Sequence, residues 1–321
     1  MPPQASVVTV SKDRKELLSK EIDALIAQDY PKNRFEIIVV DDASQKDDLK
    51  ALVEEKKKKF QGIVYLRQPP SGPAAGRNLG AKNSGSPIIL FTDNDCIPRP
   101  GWVREMVAAF SDKNVVCVEG KIETDFPRRL FTNAPENHSG GRFMTANMGF
   151  RKPFFDSAGG FNESFGFWRE DTELAFRAME AGKVVFAKKA VVYHPLRKEP
   201  WQNVFRYLSF LRNEWLLRSL HPKKFAQYVL PEVKKDLLKA AAIWFAFGFV
   251  ILTFAIGFYE YSLVVLLALL ISTFVIFYLR RDFAKPKLVD QFFYAFLVLC
   301  KYLMYPFFLV YGFFDALRVK K

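Results

Sequence analysis

Short apolar runs alternate with longer stretches in which apolar side chains recur at helical spacing over the first part of the chain. Residues 6–10, 35–40, 63–66, 88–91 and 115–118 form the short runs, rich in valine and isoleucine. Such runs, bounded by turn residues, predict buried strands. Between them, residues 16–28 place Leu17, Leu18, Ile22, Leu25 and Ile26 on one helical face. Residues 46–60 read as a charged helix, and residues 73–83 as a third helix carrying Arg77 and Asn78. This βαβαβαβ order predicts an α/β chain with a doubly wound, mainly parallel sheet.

Polar residues gather where these strands end. Ser11, Lys12 and Asp13 follow the first, Asp41 and Asp42 the second, and Asp93-Asn94-Asp95 the fourth. Strand ends on one edge of a parallel sheet share one crevice, where open α/β sheets bind ligands. Two carboxylates two positions apart repel and resist desolvation. A Mg²⁺-type cation relieves both, because it takes one or two carboxylates together with substrate phosphates. The chain has neither the Gly-x-Gly-x-x-Gly of dinucleotide-binding domains nor a P-loop.

The C-terminal pattern is different. Residues 240–259 and 261–279 are free of charge, each about the 20 residues that cross a bilayer as a helix. Joined at Glu260, they predict a membrane hairpin. Lys234, Lys235 and Lys239 precede it and Arg280, Arg281, Lys285 and Lys287 follow, so both flanks are expected on the cytoplasmic side. The third apolar stretch, 291–314, is interrupted by Lys301 and Pro306. A simple span there would carry Lys320 and Lys321 outward, so a tilted, re-entrant or interfacial segment competes with one whose Lys301 faces a protein-lined cavity. Ahead of the hairpin, Trp201, Phe205, Leu208, Leu211 and Trp215 recur at helical spacing with Arg206, Arg212 and Arg218 between them. This predicts amphipathic helices at the membrane interface, or a stripe packed on the α/β domain, with breaks at Pro222 and Pro231. The division expected is a catalytic domain over 1–198, juxtamembrane helices over 199–238 and a membrane region over 239–321.

Charge supports that division. The net charge is +13, of which residues 1–187 supply +1, residues 188–239 supply +8 and residues 240–321 supply +4. The excess sits beside the apolar tail rather than on the folded domain, which favours anionic lipid over nucleic acid. Three scattered cysteines fit no metal spacing and suggest reduced thiols.

The first 195 residues resemble the inverting family-2 glycosyltransferases, whose fold is called GT-A. The resemblance rests on Ser6-Val-Val-Thr-Val-Ser-Lys-Asp13, Glu36-Ile-Ile-Val-Val-Asp-Asp-Ala-Ser44, Gly76-Arg-Asn-Leu-Gly80 and Thr92-Asp-Asn-Asp95. It continues in Ala146-Asn-Met-Gly-Phe-Arg151, Gly159-Gly-Phe-Asn-Glu163, Glu170-Asp-Thr-Glu-Leu174 and Val192-Tyr-His194. It implies a UDP- or GDP-sugar donor, held by Ser11, Asp13, Asp42, Arg77, Asp93 and Asn94, with Asp42 at the nucleobase. It implies Mg²⁺ or Mn²⁺ on Asp95, with His194 as a second ligand. Lys12 stands where many members place a tyrosine, and Cys96 where a third acid is common.

Sugar transfer needs the leaving diphosphate stabilised and the attacking hydroxyl deprotonated. Asp171, opening a helix over 171–181, is the candidate general base, an N-terminal cap being the alternative role for an acid there. Asn147, Glu170 and Arg212 are expected near the acceptor. Residues 126–145, including Arg128, Arg129 and His138, read as a long acceptor loop. The resulting expectation is a multi-pass membrane enzyme with a cytoplasmic catalytic domain, acting on a hydroxyl of a lipid-linked or cell-envelope glycan. A polyprenyl-phosphate acceptor and an inactive nucleotide-binding scaffold are the competing readings. The absence of Gln-x-x-Arg-Trp after Asp171 argues against a processive synthase.

Overall fold

A computed structural model describes residues 3–46, 48–127, 130–279 and 288–319. Arg128, Arg129, Arg280, Arg281, Lys285, Lys287, Lys320 and Lys321, which entered the charge argument, lie outside them. The chain forms two compact units, Met1–Thr124 with Ala134–Pro195, and Asp125–Asn133 with Leu196–Lys321. The loop expected over 126–145 is thus divided between them, and residues 199–238 share a unit with the apolar tail.

The strands are β1 (Ala5–Ser11), β2 (Phe35–Asp42), β3 (Ile63–Gln68), β4 (Ile88–Phe91), β5 (Ile97–Pro98), β6 (Val115–Glu123), β7 (Thr132–Asn133), β8 (Met148–Arg151), β9 (Lys183–Tyr193) and β10 (Arg197–Lys198). In the first unit, eight of them make one sheet in the order β3-β2-β1-β4-β8-β6-β9-β5. The strands from β3 to β4 are parallel, as the alternating pattern predicts. The far half is mixed. Strand β8 runs antiparallel to both β4 and β6, and β5 antiparallel to β9. Neither short strand was legible in the pattern, because β5 has two residues and β8 (Met-Gly-Phe-Arg) is not a continuous apolar run. Gly149 makes room for β8: a Cβ there would lie 2.7 Å from Leu90 Cδ2.

Helices α1 (Lys15–Ile26), α2 (Asp48–Lys57), α3 (Gly72–Lys82), α4 (Trp102–Ala109), α5 (Lys152–Ser157) and α6 (Glu170–Ala181) accompany the sheet. The apolar stripe of α1 (Leu18, Ile22, Leu25), Leu49 and Val53 of α2, and Trp102 and Met106 of α4 are buried in a core with Val7, Ile37, Val39 and Leu90. Each such side chain contributes roughly 1.5–3 kcal/mol on burial. On α3, Gly76 and Gly80 allow close approach to the sheet: a Cβ on Gly80 would lie 2.4 Å from Val8 Cγ1.

In the second unit, β7 and β10 pair antiparallel. A 3₁₀ turn at Trp201–Val204 leads into α7 (Arg206–Ser209), α8 (Leu211–Leu220), α9 (Pro222–Lys224), α10 (Leu230–Ala255), α11 (Tyr259–Leu279) and α12 (Leu288–Val319). Leu208 and Leu211 pack with Ala240 of α10 and Tyr302 and Tyr305 of α12, so the leucines of the stripe are buried against the tail helices while Trp201 stays exposed. Neither expected proline break after the start of α9 occurs. A π-helical turn at Phe225–Val229 precedes Pro231, and a widened turn relieves the clash of a proline ring with the carbonyl four residues earlier. The helix α12 runs through Pro306 without interruption. The hairpin between α10 and α11 turns at Gly257 (φ +85°), with Thr253 Oγ1 and Ser262 Oγ 2.7 Å apart across it. Among the described residues, Pro222–Ala255 and Val289–Val319 are long and apolar enough to cross a membrane.

Candidate active site

The site is assembled at the ends of β1, β2, β4 and β9. The register of β5 on β9 pairs Ile97 with Tyr193. Continued by one residue in an antiparallel pair, it brings Cys96 opposite His194. His194 Nε2 lies 3.2 Å from Asp95 Oδ1, with both side chains almost fully buried. The imidazole is oriented by Nδ1, 3.0 Å from the Pro195 carbonyl. Asp95, Cys96 and His194 place one ligand atom each within 4.8 Å of one another. Burial pushes the Cys96 thiol well above its usual range, reinforced by Asp93 and Asp95. The Asp95 carboxylate oxygen suits a hard divalent ion, with His194 as a nitrogen donor beside it, whereas a thiol adds little for a hard ion.

Arg14, which sequence reasoning missed, donates from Nη1 to Asp95 Oδ2 at 3.1 Å and to Asn94 Oδ1 at 3.4 Å. It sits in a loop without a motif, and only the fold brings it to Asp95. Glu21 was missed too. It is fully buried on α1, accepts from Thr9 Oγ1 at 3.0 Å, and is held well above the usual carboxylate range by burial, with the charges of Asp93 and Asp95 adding to it. Its signal was its position on the apolar stripe of Leu18, Ile22 and Leu25.

A second cluster adjoins Asp93. The buried Arg77 guanidinium spans Asp93 Oδ1 and Glu170 Oε1, each at 3.0 Å. Burial opposes its charge, but Asp93, Glu170 and Asp171 outweigh that and hold the guanidinium firmly protonated. Glu170 is pushed up to about 7, by burial first and then by the neighbouring Asp171. Its Oε2 has no hydrogen-bond partner among the described residues. Asp171 is raised chiefly by burial, against the pull of Arg77. Asp171 Oδ2 accepts from Thr145 N at 3.3 Å and Oδ1 from Thr172 N at 2.7 Å. The cap position of α6 is Arg169, so Asp171 lies within the first turn instead of capping it. Trp168 and Arg169 both adopt left-handed backbone (φ 78° and 75°), a strained entry that aims the Glu170-Asp171 pair.

The other expected donor contacts lie at the ends of β1 and β2. Asp13 (φ 53°) joins the two loops, its N–H donating to Ser44 Oγ and its Oδ1 accepting from Gln45 N. Ser11 Oγ is buried without a hydrogen-bond partner among the described residues. Asp42 accepts from Gln68 Nε2 and from the N–H groups of Ser71 and Gly72, so its carboxylate sits at the N-terminus of α3. Asn147 is buried away from any open wall. Its amide receives Trp102 Nε1 at 2.8 Å and donates to the Lys121 and Ala190 carbonyls, which ties α4, β6 and β9 together. Asn147 thus braces the segment whose Thr145 N–H reaches Asp171. Arg212 belongs to the second unit, with Nε 3.0 Å from Asn213 Oδ1 and 3.8 Å from Asp315 Oδ2.

Known proteins resemble this chain. Glycosyltransferase AglE of Haloferax volcanii is 26% identical over 262 residues, covering 77% of this chain and 81% of that protein. The O-antigen biosynthesis protein RfbC of Myxococcus xanthus is 27% identical over 223 residues, but the chain spans only 17% of its length. Mannosyltransferase PcManGT of Pyrobaculum calidifontis, solved with GDP-Man and Mn²⁺, superposes with a TM-score of 0.69 at 18% identity, over 100% of this chain and 89% of that one. Staphylococcus aureus TarS 1–349 with UDP-GlcNAc superposes at 0.53 and 20% identity, over 65% of each chain. These two likenesses concern the fold, which is of the GT-A type. The family model of glycosyl transferase family 2 matches residues 6–168, half of the sequence, and the chain belongs to that family.

Proposed function

We propose that this chain is a membrane-anchored, inverting transferase that moves a sugar from a UDP- or GDP-sugar to a hydroxyl of a lipid-linked or cell-envelope glycan. The observation that carries the reading is the meeting of two groups in one unit: Asp95 with His194, and Asp171 with Arg77, Asp93 and Glu170. Asp95 and His194 would hold Mg²⁺ or Mn²⁺, which when bound neutralises charge on the departing diphosphate. Ser11, Asp13, Asp42, Asp93 and Asn94 would line the donor, with Arg77 fixing the Asp93 carboxylate. Asp171 takes the proton of the attacking hydroxyl. Burial raises its basicity, and the Thr145 N–H orients it. Attack from the side opposite the leaving group inverts the anomeric carbon. Donors of both kinds are worth testing, because PcManGT was solved with GDP-Man and TarS with UDP-GlcNAc. The hairpin of α10 and α11 would anchor the chain, its basic flank at Lys234, Lys235 and Lys239 on the cytoplasmic side with the catalytic unit.

The test is turnover of UDP- and GDP-sugars by the full chain in detergent, with and without Mn²⁺. Metal-dependent turnover of one nucleotide class, lost in Asp95→Ala, is expected. Turnover that survives both Asp95→Ala and complete chelation removes the metal role, and binding of no nucleotide sugar removes the reading itself.

A further inference from the structure

We propose that α12, although long and apolar enough to cross a bilayer, lies along the membrane surface with one face on residues 201–222 and the opposite face covered by lipid. The proposal rests on the reading that α10 and α11 enter the membrane.

From one end to the other, α12 follows a charged stretch of chain. Phe293 meets Trp201, with ring centroids 6.0 Å apart. Lys301 Nζ lies 5.0 Å from the centre of the Tyr207 ring. Tyr305 packs with Leu208 and Leu211. The Leu309 carbonyl accepts from Trp215 Nε1 at 2.9 Å. A Cβ on Gly312 would lie 2.7 Å from the Arg212 backbone nitrogen. Ala316 and Leu317 line a cleft with Arg218 and Pro222. The partner stretch carries Arg206, Arg212, Glu214 and Arg218, and α12 adds Lys301 and Asp315. If α12 spanned the bilayer, it would draw these charges into hydrocarbon, where charged side chains are costly.

An independent contact fixes the depth. Tyr302, near the middle of α12, donates to Asp236 Oδ1 at 2.9 Å and accepts from Lys239 Nζ at 3.2 Å. Asp236 and Lys239 are the last charges before the apolar run of α10. That boundary lies at headgroup level, so the middle of α12 does as well, whereas the middle of a span would lie at the bilayer centre.

The outward face identifies the occupant. Phe296, Phe307 and Phe314 return to the same side of a helix with 3.6 residues per turn, over about 27 Å of its axis. They are 54%, 66% and 58% exposed, Phe307 also meeting Trp244 near the start of the apolar run of α10 with ring centroids 5.8 Å apart. An apolar row of this length, on a helix whose Tyr302 is held by Lys239 at the start of the apolar run of α10, matches a lipid surface. Residue 319 then lies on the side of the membrane from which α10 departs.

Spin labels at Phe296→Cys, Phe307→Cys and Phe314→Cys test this, each in the full Cys300→Ser chain in phosphatidylcholine–phosphatidylglycerol bilayers. Cys96 and Cys117 are buried and do not compete for label. Collision with oxygen and with a nickel chelate should place all three labels at one shallow depth, roughly 5–10 Å below the headgroups. A gradient through the bilayer centre, deepest at Phe307, would show a span and overturn the proposal. Labels fully open to the chelate would show water, and labels frozen and shielded from both reagents would show a second protein copy; either result also overturns it. A label at Leu252→Cys reports separately on α10. A deep signal there upholds the anchoring hairpin whatever α12 does, and an aqueous signal removes the hairpin.

Discussion

At the level of single residues, burial governs the protons of three carboxylates, Glu21, Glu170 and Asp171. Glu170 shows this most clearly, with its carboxyl raised to about 7 from an ordinary 4.5. Below pH about 4.5, folded and unfolded chains both carry that proton. Between about 4.5 and 7 only the folded chain keeps it, so stability falls as pH rises, by on the order of 3 kcal/mol by the top of that window. Thermal unfolding of the detergent-solubilised protein across this range should show the decline, and Glu170→Gln should make it shallower, the raised carboxyls of Glu21 and Asp171 supplying the rest. Asp171 is raised as well, and a base works only when ionised. The acid limb of kcat/KM is therefore expected above the ordinary aspartate range, and a limb within that range would contradict the assignment. Asp93 and Asp95 were legible because polar clusters at successive strand ends converge on one crevice of a parallel sheet. Arg14 was not, since it meets Asp95 across 81 positions and follows no periodicity. Glu21 resembled an ordinary surface charge until the fold placed it on the core face of α1.

At the level of elements, close approach and loop anchoring hold the site in place. The packing of α3 on β1 needs Gly76 and Gly80, whose absent side chains leave room for Val10 and Val8. Gly80→Ala is expected to cost about 1–3 kcal/mol by overpacking and to lower Tm, because α3 carries Arg77 and Asn78. An unchanged Tm would show that the helix can move outward freely. Strand β6 anchors the loop ahead of Asp171. Buried Glu119 accepts from Asn137 Nδ2 and from the N–H groups of Gly141, Arg142 and Phe143, just before Thr145 reaches Asp171. Glu119→Gln puts a donor among these N–H groups. Hydrogen exchange at residues 141–143 should accelerate and kcat should fall, with donor KM little changed; exchange at the wild-type rate would show that the carboxylate does not hold the loop. The parallel half of the sheet could be read from its continuous apolar runs, as could the first residues of β6. Strands β5 and β8 could not, because β5 has two residues and β8 is interrupted by Gly149 and ends on Arg151, and it is the pairing of β5 with β9 that brings His194 to Asp95.

At the level of the whole molecule, a GT-A unit and a unit of long apolar helices share one chain. The apolar tail and the basic stretch before it were plain in the sequence, because length and charge alone set the limits for a bilayer. The path of α12 was not, since Pro306 suggested a break that the fold does not make. Membranes washed with alkaline carbonate should retain the full chain in the pellet, and its release would remove the anchoring reading. The central claim concerns chemistry in the first unit: Asp171 removes the acceptor proton while other residues hold the donor. It is tested most directly by comparing Asp171→Asn with the unaltered chain, with donor affinity and sugar transfer measured on the same preparation. Donor binding should remain within about twofold while transfer falls by about 10²–10⁴. Transfer at the unaltered rate would contradict the claim.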